Sequence, residues 1–266
     1  MSFMNHEQNG LVYLTSPLLD GVRHGFSTRR GGVSPAPWDS LNLRTGCGDA
    51  PEHLAENYRR FCGAAGLDAD RLVLSRQVHR DDVRLCTAAD AGKGLARERD
   101  YEADALITSE KNLPLVVFSA DCGILLLHDP EAGCVGAVHA GWRGCAAGIV
   151  AKTVREMVRL LGARPERILA AVGPCIGPCC FETDSDVPEA MRASALGAEA
   201  EPYWERRGAK WHVDLAGLNR RWLLRAGVMP DHIDVCGLCT ACRPDLFWSH
   251  RKMGEARGAQ IAAISL

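Results

Sequence analysis

Three side chains that can bind a transition metal lie beside apolar segments of the sequence. His79 lies in SRQVHRDDV, Cys122 in SADCGILLL and His139 in AVHAGWRG. Cys122 falls at a predicted turn between two apolar strands, and His139 falls where a predicted strand runs into a glycine turn. Side chains at the ends of rigid elements are well placed to face a cleft. These three residues are therefore candidates for one functional site.

The residue types in this set suit zinc, which accepts thiolate and imidazole ligands together. A site with three protein ligands keeps a fourth position open, and zinc at such a position can ionise water near neutral pH or polarise a substrate atom. However, 42 residues separate His79 from Cys122, and no short motif joins them. From the residues alone, ligation of a metal and burial as ordinary core residues both remain open.

A second interpretation makes Cys122 a nucleophile and His139 its base, as in cysteine hydrolases. Such a pair needs a third group that orients the histidine. Asp121 is adjacent to Cys122 in the sequence, but on a strand its side chain would point to the opposite face. The sequence therefore offers no clear orienting group for this mechanism.

Two further segments are rich in cysteine: PCIGPCC contains Cys175, Cys179 and Cys180, and CGLCTAC contains Cys236, Cys239 and Cys242. The two-residue spacings in CGLCTAC are typical of iron–sulfur or zinc sites, but such sites normally need four ligands and this segment supplies three. PCIGPCC could complete the set only across the fold. We interpret these cysteines as buried or loop thiols.

The apolar pattern predicts the elements that must position the candidate residues. We expect helices over residues 51–67 and 144–161, and a third helix that ends at Arg225 and is capped by Asp214. Residues 25–49 are expected to form a loop with one short strand. The predicted strands cover residues 72–85, 105–109, 115–119, 124–127, 134–139, 168–172, 233–236 and 260–265. The expected fold class is α+β (mixed α/β), with layered mixed β-sheets flanked by helices in a single domain over residues 1–266.

Composition limits the class of protein. The 266 residues are 47% hydrophobic, which is enough for a sizeable core, and 31 basic against 33 acidic residues give a net charge of −2. We expect neither a nucleic acid nor a membrane partner. The N-terminal segment lacks the pattern of a secretory signal and no uninterrupted apolar run approaches 18 residues, so a cytoplasmic location with reduced thiols is expected. The sequence does not predict an oligomeric state.

Ordered motifs along nearly the whole chain carry a family resemblance. They are FSTRRGGVS, SLNL, GDAPEHLAENYRR, QVH, ADALIT, ADC, HAGWRG, GPCIGPCCFE, CT and FWSHRK. The chain resembles the YfiH-type family of purine nucleoside phosphorylases, formerly described as multicopper polyphenol oxidoreductases or laccases. The resemblance implies zinc-dependent phosphorolysis of adenosine, inosine and methylthioadenosine, and deamination of adenosine. It also implies that the zinc ligands are His79, Cys122 and His139.

Phosphorolysis requires donors that hold phosphate, and three arginines in family motifs are candidates: Arg29, Arg143 and Arg251. Arg143 follows His139 by four residues, at a predicted helix start where free N–H groups also favour anions. Asn42 is a weaker candidate for a ribose contact. For Asp121 we consider a supporting or proton-transfer role.

The sequence departs from the family pattern at a few positions. Arg80 and Asp81 follow the first histidine in place of a small residue, Gly123 follows ADC, and Met253 replaces an aspartate after SHRK. These changes concern the pocket rim and the role of Arg251. A copper-dependent polyphenol oxidoreductase is the alternative, but none of the nine histidines forms the His-x-His pairs that multicopper oxidases share.

Overall fold

The structure, a computed structural model, describes residues 3–266 and builds them from three β-sheets and six α-helices. In chain order the strands are β1 (Met4–Gln8), β2 (Leu11–Thr15), β3 (Arg23–Ser27), β4 (Val73–Leu74), β5 (Val83–Leu85), β6 (Ala105–Thr108), β7 (Leu115–Ser119), β8 (Gly123–Asp129), β9 (Cys134–Ala140), β10 (Leu169–Val172), β11 (Glu182–Thr183), β12 (Trp204–Arg207), β13 (Lys210–Val213), β14 (Ile233–Val235) and β15 (Gln260–Ser265). The helices are α1 (Pro51–Ala65), α2 (Trp142–Ala146), α3 (Ile149–Leu161), α4 (Asp186–Ala193), α5 (Leu215–Arg225) and α6 (His250–Met253).

Two six-stranded sheets form the centre of the molecule. The first has the order β1-β2-β3-β15-β7-β4, and the second has the order β14-β10-β8-β9-β6-β5. Most neighbours are antiparallel, whereas β4/β7, β5/β6 and β10/β14 are parallel pairs. A third, small sheet has the order β11-β13-β12. Its strands follow β10 and precede α5 in the sequence. The sheets are therefore mixed, as the irregular alternation of predicted strands and helices indicates.

The two large sheets pack against each other because their central strands are apolar on both faces. Val117 of β7 and Leu126 of β8 lie in one buried cluster between the sheets. The neighbouring residues point the other way: Val116 packs with α1, and Leu125 packs with α3 and α5. The order of layers is thus α1, first sheet, second sheet, and α3 with α5.

Helix α1 confirms the first helix prediction, with Pro51 in its first turn and Gly66 ending it in a left-handed conformation. The side chain of Asp214 accepts the Gly217 N–H at 2.9 Å and caps α5, also as predicted. Among the helices of residues 3–266, none has the length and apolar character needed to cross a bilayer.

The single helix predicted over residues 144–161 is wrong. The structure has two helices, α2 and α3, because Gly148 adopts a left-handed φ of 77° between them. A Cβ at Gly148 would lie 3.1 Å from the indole of Trp222, so the chain turns where that ring packs against it. The amphipathic pattern of residues 149–161 is real, but it does not extend across the glycine.

The predicted strands over residues 115–119 and 260–265 coincide with β7 and β15, and the other central strands differ from their predictions by a few residues. The strand predicted over residues 72–85 is wrong in its middle. It is two short strands, β4 in the first sheet and β5 in the second, joined by a loop that contains His79. Strands β1, β2 and β11 to β13 were not predicted.

Candidate metal centre

The three predicted ligands meet at one end of the interface between the two large sheets. His79 lies in the loop from β4 to β5, and Cys122 in the turn from β7 to β8, so both segments pass from the first sheet to the second. His139 is near the end of β9, which pairs with β8 so that Ile124 is opposite His139. One ligand atom from each residue lies within 4.8 Å of the others.

Asp104 connects the two histidines. Its Oδ1 lies 2.8 Å from His139 Nδ1 and accepts the His79 N–H at 3.0 Å. Its Oδ2 accepts the main-chain N–H groups of Val78 and Arg80, each at 3.0 Å. Asp104 is completely buried. A carboxylate in this position fixes the histidine ring and leaves Nε2 free for a ligand-binding role.

Hydrogen bonds to Asp104 also explain the backbone of His79, which has a φ of 61°. This left-handed conformation is unfavourable for a residue with a side chain. Three consecutive N–H groups point at one carboxylate and hold the loop in place. The His79 ring consequently lies at right angles to that of His139, with a centroid separation of 4.9 Å.

Gly141, in the HAGW motif, leaves the space that the ligands need. A Cβ at this position would lie 2.9 Å from Cys122 Sγ and 3.3 Å from His79 Cδ2. Contacts shorter than van der Waals distance would force these side chains to move. The donor set, the orienting carboxylate and the glycine cradle together fit a single soft or borderline metal ion.

The charges within the group favour a thiolate. Burial raises the pKa of Cys122, but the charges and hydrogen bonds of His139 and His79 outweigh it and lower the thiol pKa to about 6. Burial lowers the pKa of His139, whereas Cys122 and Asp104 raise it to about 9. At neutral pH the cysteine is therefore ionised, as metal ligation requires.

Two cavities adjoin this group and share His79, Ala120, Cys122 and Arg257 in their walls. The first, of about 310 Å³, is lined by four arginines: Arg44, Arg76, Arg99 and Arg257. The second, of about 470 Å³, has the apolar wall Trp142, Ile176, Phe181 and Leu215. The four arginines were not predicted from the sequence, because they come from separate segments without a common motif.

The first cavity carries positive charge that is not fully neutralised. Burial, followed by the charge of Arg44, lowers the pKa of Arg257. The Arg99 guanidinium donates hydrogen bonds to the Ser75 carbonyl and the Thr45 hydroxyl, and Arg76 is 3.7 Å from Glu102. Arg44 is 3.6 Å from Glu255. An anion in this cavity would gain charge-assisted hydrogen bonds from the guanidinium groups that line it.

Asp121 does not face the cluster of ligands. Its φ is 92°, and its carboxylate accepts the Thr240 hydroxyl at 2.5 Å, the Ser249 hydroxyl at 3.0 Å and the Arg251 N–H at 2.7 Å. It lines the second cavity and ties the Cys122 turn to the C-terminal segment. Whether Asp121 has a supporting or a proton-transfer role stays a prediction.

The predicted phosphate contacts fall in different places. Arg143 and Arg251 both line the second cavity, and the Arg143 guanidinium lies 4.2 Å from the Trp142 ring centroid. Arg29 lies outside both cavities, where it stacks on Trp248 at 4.0 Å and donates to the carbonyls of Asp39 and Pro244.

Asn42 is completely buried and lines neither cavity. Its amide donates to Asp49 at 2.8 Å, and its carbonyl accepts the Arg44 N–H at 2.9 Å. It therefore supports the backbone of an arginine of the first cavity.

The structure brings together cysteines of the two rich segments. Cys179, Cys180, Cys239 and Cys242 have Sγ atoms within 4.8 Å of one another. Cys175 and Cys236 lie outside this group. All six are free cysteines that are buried or lie in loops, and four of them form one group.

Comparison with known proteins agrees with this architecture. The family model described as "Multi-copper polyphenol oxidoreductase laccase" matches residues 23–266. A protein of Deinococcus radiodurans named purine nucleoside phosphorylase is 43% identical over 257 residues, which cover 97% of this chain and 94% of that protein. Purine nucleoside phosphorylase YlmD of Geobacillus stearothermophilus is 34% identical over 263 residues, covering 97% and 95% of the two chains.

Solved structures show the same fold. The crystal structure of hypothetical protein YfiH from Bacillus licheniformis superposes with a TM-score of 0.92 at 31% identity, covering 99% of this chain and 98% of that one. The structure of YlmD from Geobacillus stearothermophilus gives a TM-score of 0.89 at 33% identity, with coverage of 99% and 98%. The chain belongs to the laccase-like multi-copper polyphenol oxidoreductase family, in the group of YfiH and YlmD. Both the family resemblance and the predicted mixed α/β fold class are confirmed.

Proposed function

We propose that this chain is a zinc-dependent purine nucleoside phosphorylase that acts on adenosine, inosine and methylthioadenosine and also deaminates adenosine. The observation that carries the proposal is the group of His79, Cys122 and His139, which lies between two cavities and is oriented by Asp104. The names of the relatives from Deinococcus radiodurans and Geobacillus stearothermophilus support the activity.

His79, Cys122 and His139 would hold the ion. A three-ligand zinc site supplies Lewis-acid chemistry and a lowered pKa for water at the open position. Asp104 keeps the His139 tautomer and ring orientation, and Gly141 keeps the approach to Cys122 clear. Zinc is preferred to copper because none of the nine histidines forms the His-x-His pairs that multicopper oxidases share.

Phosphate is assigned to the arginine-lined cavity and the purine to the cavity with Trp142 and Phe181. Arginine forks match phosphate oxygens, while an aromatic wall suits a purine ring. Because the cavities meet at Ala120, Cys122 and Arg257, the ribose would span the junction with its anomeric carbon between base and phosphate. Arg143 and Arg251 remain candidate phosphate contacts from the other side. The remote position of Arg29 gives no support to such a contact for that residue.

In phosphorolysis the chain must hold phosphate at the anomeric carbon of the ribose while the bond from that carbon to the base breaks. The arginines would bind the phosphate and stabilise its negative charge as the reaction proceeds. In deamination the residues around the open position must exclude bulk water and move protons to the departing amino group. His250, in the wall of the second cavity, is available for such a transfer.

The decisive experiment incubates purified protein with adenosine, with and without phosphate, and separates the products while bound metal is measured. Adenine that appears only with phosphate reports phosphorolysis, and inosine reports deamination. The Cys122→Ala variant is the control and should lose the metal of this site and both products. Activity that survives intact in that variant, or the absence of both products from the parent protein, would reject the proposal.

One observation favours a second candidate. Asp104 supplies the orienting group that sequence analysis did not find, so Cys122, His139 and Asp104 have the connectivity of a cysteine hydrolase triad. This alternative leaves His79 without a role. Iodoacetamide labelling of Cys122 with and without prior chelator treatment distinguishes the two. A nucleophile is alkylated in both cases, whereas a zinc ligand is alkylated only after metal removal.

A further inference from the structure

Two chain segments meet at the four-cysteine cluster, defined by Cys179, Cys180, Cys239 and Cys242. The first two cysteines follow β10 and the other two follow β14, and these strands are parallel neighbours in the second sheet. The two cysteine-containing segments therefore leave the second sheet at the same end, the C-terminal end of these two strands. This arrangement could not be deduced from either segment alone.

Main-chain contacts hold the two segments together. Cys175 and Cys239 form an isolated parallel bridge, and Thr240 N–H donates to the Cys175 carbonyl at 3.1 Å. The Gly177 N–H donates to Cys239 Sγ at 3.2 Å. A Cβ at Gly177 would lie 3.5 Å from Cys179 Sγ, so this residue lies directly against the cluster. N–H donors that face a sulfur atom stabilise its thiolate form.

The sulfur separations suit shared coordination. Cys242 Sγ is 3.4 Å from both Cys179 Sγ and Cys180 Sγ. Four sulfurs around a zinc ion at about 2.3 Å would lie about 3.8 Å apart, whereas a disulfide needs about 2.05 Å.

We propose that Cys179, Cys180, Cys239 and Cys242 bind a second zinc ion in a closed structural site. Four thiolates complete the tetrahedron and leave no open position, in contrast to the three-ligand centre. The Cys239-x-x-Cys242 spacing is a common half of such sites, and the adjacent pair Cys179 and Cys180 supplies the other half. This inference does not depend on the proposed enzymatic activity.

The second ion would fix walls of the cavity that contains Trp142. Ile176 and Phe181, which line that cavity, flank the Cys179 and Cys180 pair. The Arg251 guanidinium donates to the carbonyls of Cys180 and Glu182 at 3.1 and 3.0 Å. Thr240, next to Cys239, donates to Asp121. Loss of the ion should therefore loosen one wall of the cavity and destabilise the fold.

Metal content in the Cys122→Ala background tests the proposal, because this substitution removes a ligand of the other centre. Protein purified under reducing, zinc-replete conditions should retain about one zinc per chain, held by sulfur at about 2.3 Å in X-ray absorption. Adding Cys242→Ala should abolish that zinc. Adding Cys236→Ala should not, since Cys236 belongs to the same segment but lies outside the cluster.

A second measurement leaves the four cysteines unchanged, so that loss of zinc cannot result from misfolding of a cluster variant. Chelation of the Cys122→Ala protein should lower its Tm and make four additional thiols reactive toward a thiol reagent. The proposal is overturned if this protein is purified without zinc, if the Cys242→Ala addition retains zinc, or if mass spectrometry of the alkylated protein finds a disulfide within the cluster.

Discussion

The Asp104 carboxylate links two proposed ligands that are 60 residues apart in the sequence. It accepts three consecutive N–H groups around His79 and contacts the ring of His139. Burial raises the pKa of Asp104, but His139 and the N–H donors of Arg80 and Val78 outweigh it and lower the pKa. The carboxylate is therefore ionised whenever the protein is folded at neutral pH.

Asp104→Asn should weaken metal binding at the three-ligand centre by about ten- to a hundredfold, because an amide nitrogen cannot accept the N–H groups that hold the His79 loop. Competition with a chelator measures the affinity. Asp100→Asn is the matched control, since this carboxylate is exposed and its side chain pairs with Lys93. Equal affinities in the two variants would show that Asp104 does not position the ligands.

Gly141→Ala should reduce metal affinity by a similar factor while the protein remains folded, because the added Cβ would lie 2.9 Å from Cys122 Sγ. Far-ultraviolet circular dichroism and metal titration separate the two effects. Gly63→Ala is a suitable control, because a Cβ there meets no atom within 4 Å and the position is helical. Normal metal binding by Gly141→Ala would mean that the ligand geometry is less confined than the structure indicates.

At the residue scale, the sequence predicted the types and positions of the three grouped side chains but not the group that orients them. Asp104 stands in the motif EADALIT with no feature that links it to a histidine. The link exists because β6 pairs with β9 and thereby brings Asp104 beside His139. Pairing of distant strands is not visible in local residue spacing.

At the scale of secondary-structure elements, several loops together supply the arginines of the first cavity. Arg257→Ala should raise the KM for phosphate roughly ten- to a hundredfold, because a charge-assisted hydrogen bond contributes about 1.5–3 kcal/mol. Arg143→Ala, in the apolar-walled cavity, should have the smaller effect on phosphate. Steady-state kinetics with varied phosphate compares them. The reverse order would move the phosphate site to the side of Arg143 and Arg251.

The break between α2 and α3 leads to a stability prediction. Gly148→Ala should lower the free energy of unfolding by more than about 1–2 kcal/mol, which is the cost of the left-handed conformation alone. The additional loss arises because the Cβ would press on Trp222. Gly197→Ala has the same backbone constraint at a φ of 55° but meets no atom within 4 Å. Urea unfolding of both variants should therefore give unequal losses.

Sequence patterns predicted the buried central strands and missed exposed strands such as β1 and β12, together with the largely buried β2. The strands β7 and β15 were predicted with their observed limits because their apolar side chains are buried on both faces. Strands β1 and β12 carry mostly exposed polar residues and lack an apolar alternation. They form because a neighbouring strand is available for pairing, and that information is not local.

Across the whole molecule, buried carboxylates hold loops in place. Asp49, Asp90 and Asp129 have side chains that are 1%, 5% and 0% exposed. Burial raises their pKa values, but hydrogen bonds to each carboxylate outweigh it. The donors are Ser34 and Asn42 for Asp49, and Thr87 and Arg84 for Asp90. Ala132 and Arg164 donate to Asp129. All three pKa values are lowered in the folded state.

The protein should consequently lose stability in acid. A carboxyl group whose pKa is lowered by folding stabilises the native state above its ordinary value of 3.8 and loses that effect as the pH falls through and below it. Urea unfolding of chelator-treated protein at neutral and acid pH measures the loss without a contribution from metal release. Asp129→Asn should be less stable at neutral pH and show a smaller decrease in acid. An unchanged pH slope would exclude Asp129 from the effect.

The β4–β5 loop and the β7–β8 turn each connect the first sheet to the second and each carry a proposed ligand, which affects the order of folding. The β8–β9 hairpin is local in sequence, and its register alone brings Cys122 near His139. His79 can join them only after β4 has paired with β7 and β5 with β6, which are distant partners and therefore slow to meet. Tight binding of metal by all three residues is therefore a late step of folding. The rate at which refolding protein binds metal would report the rate at which the two sheets pack together.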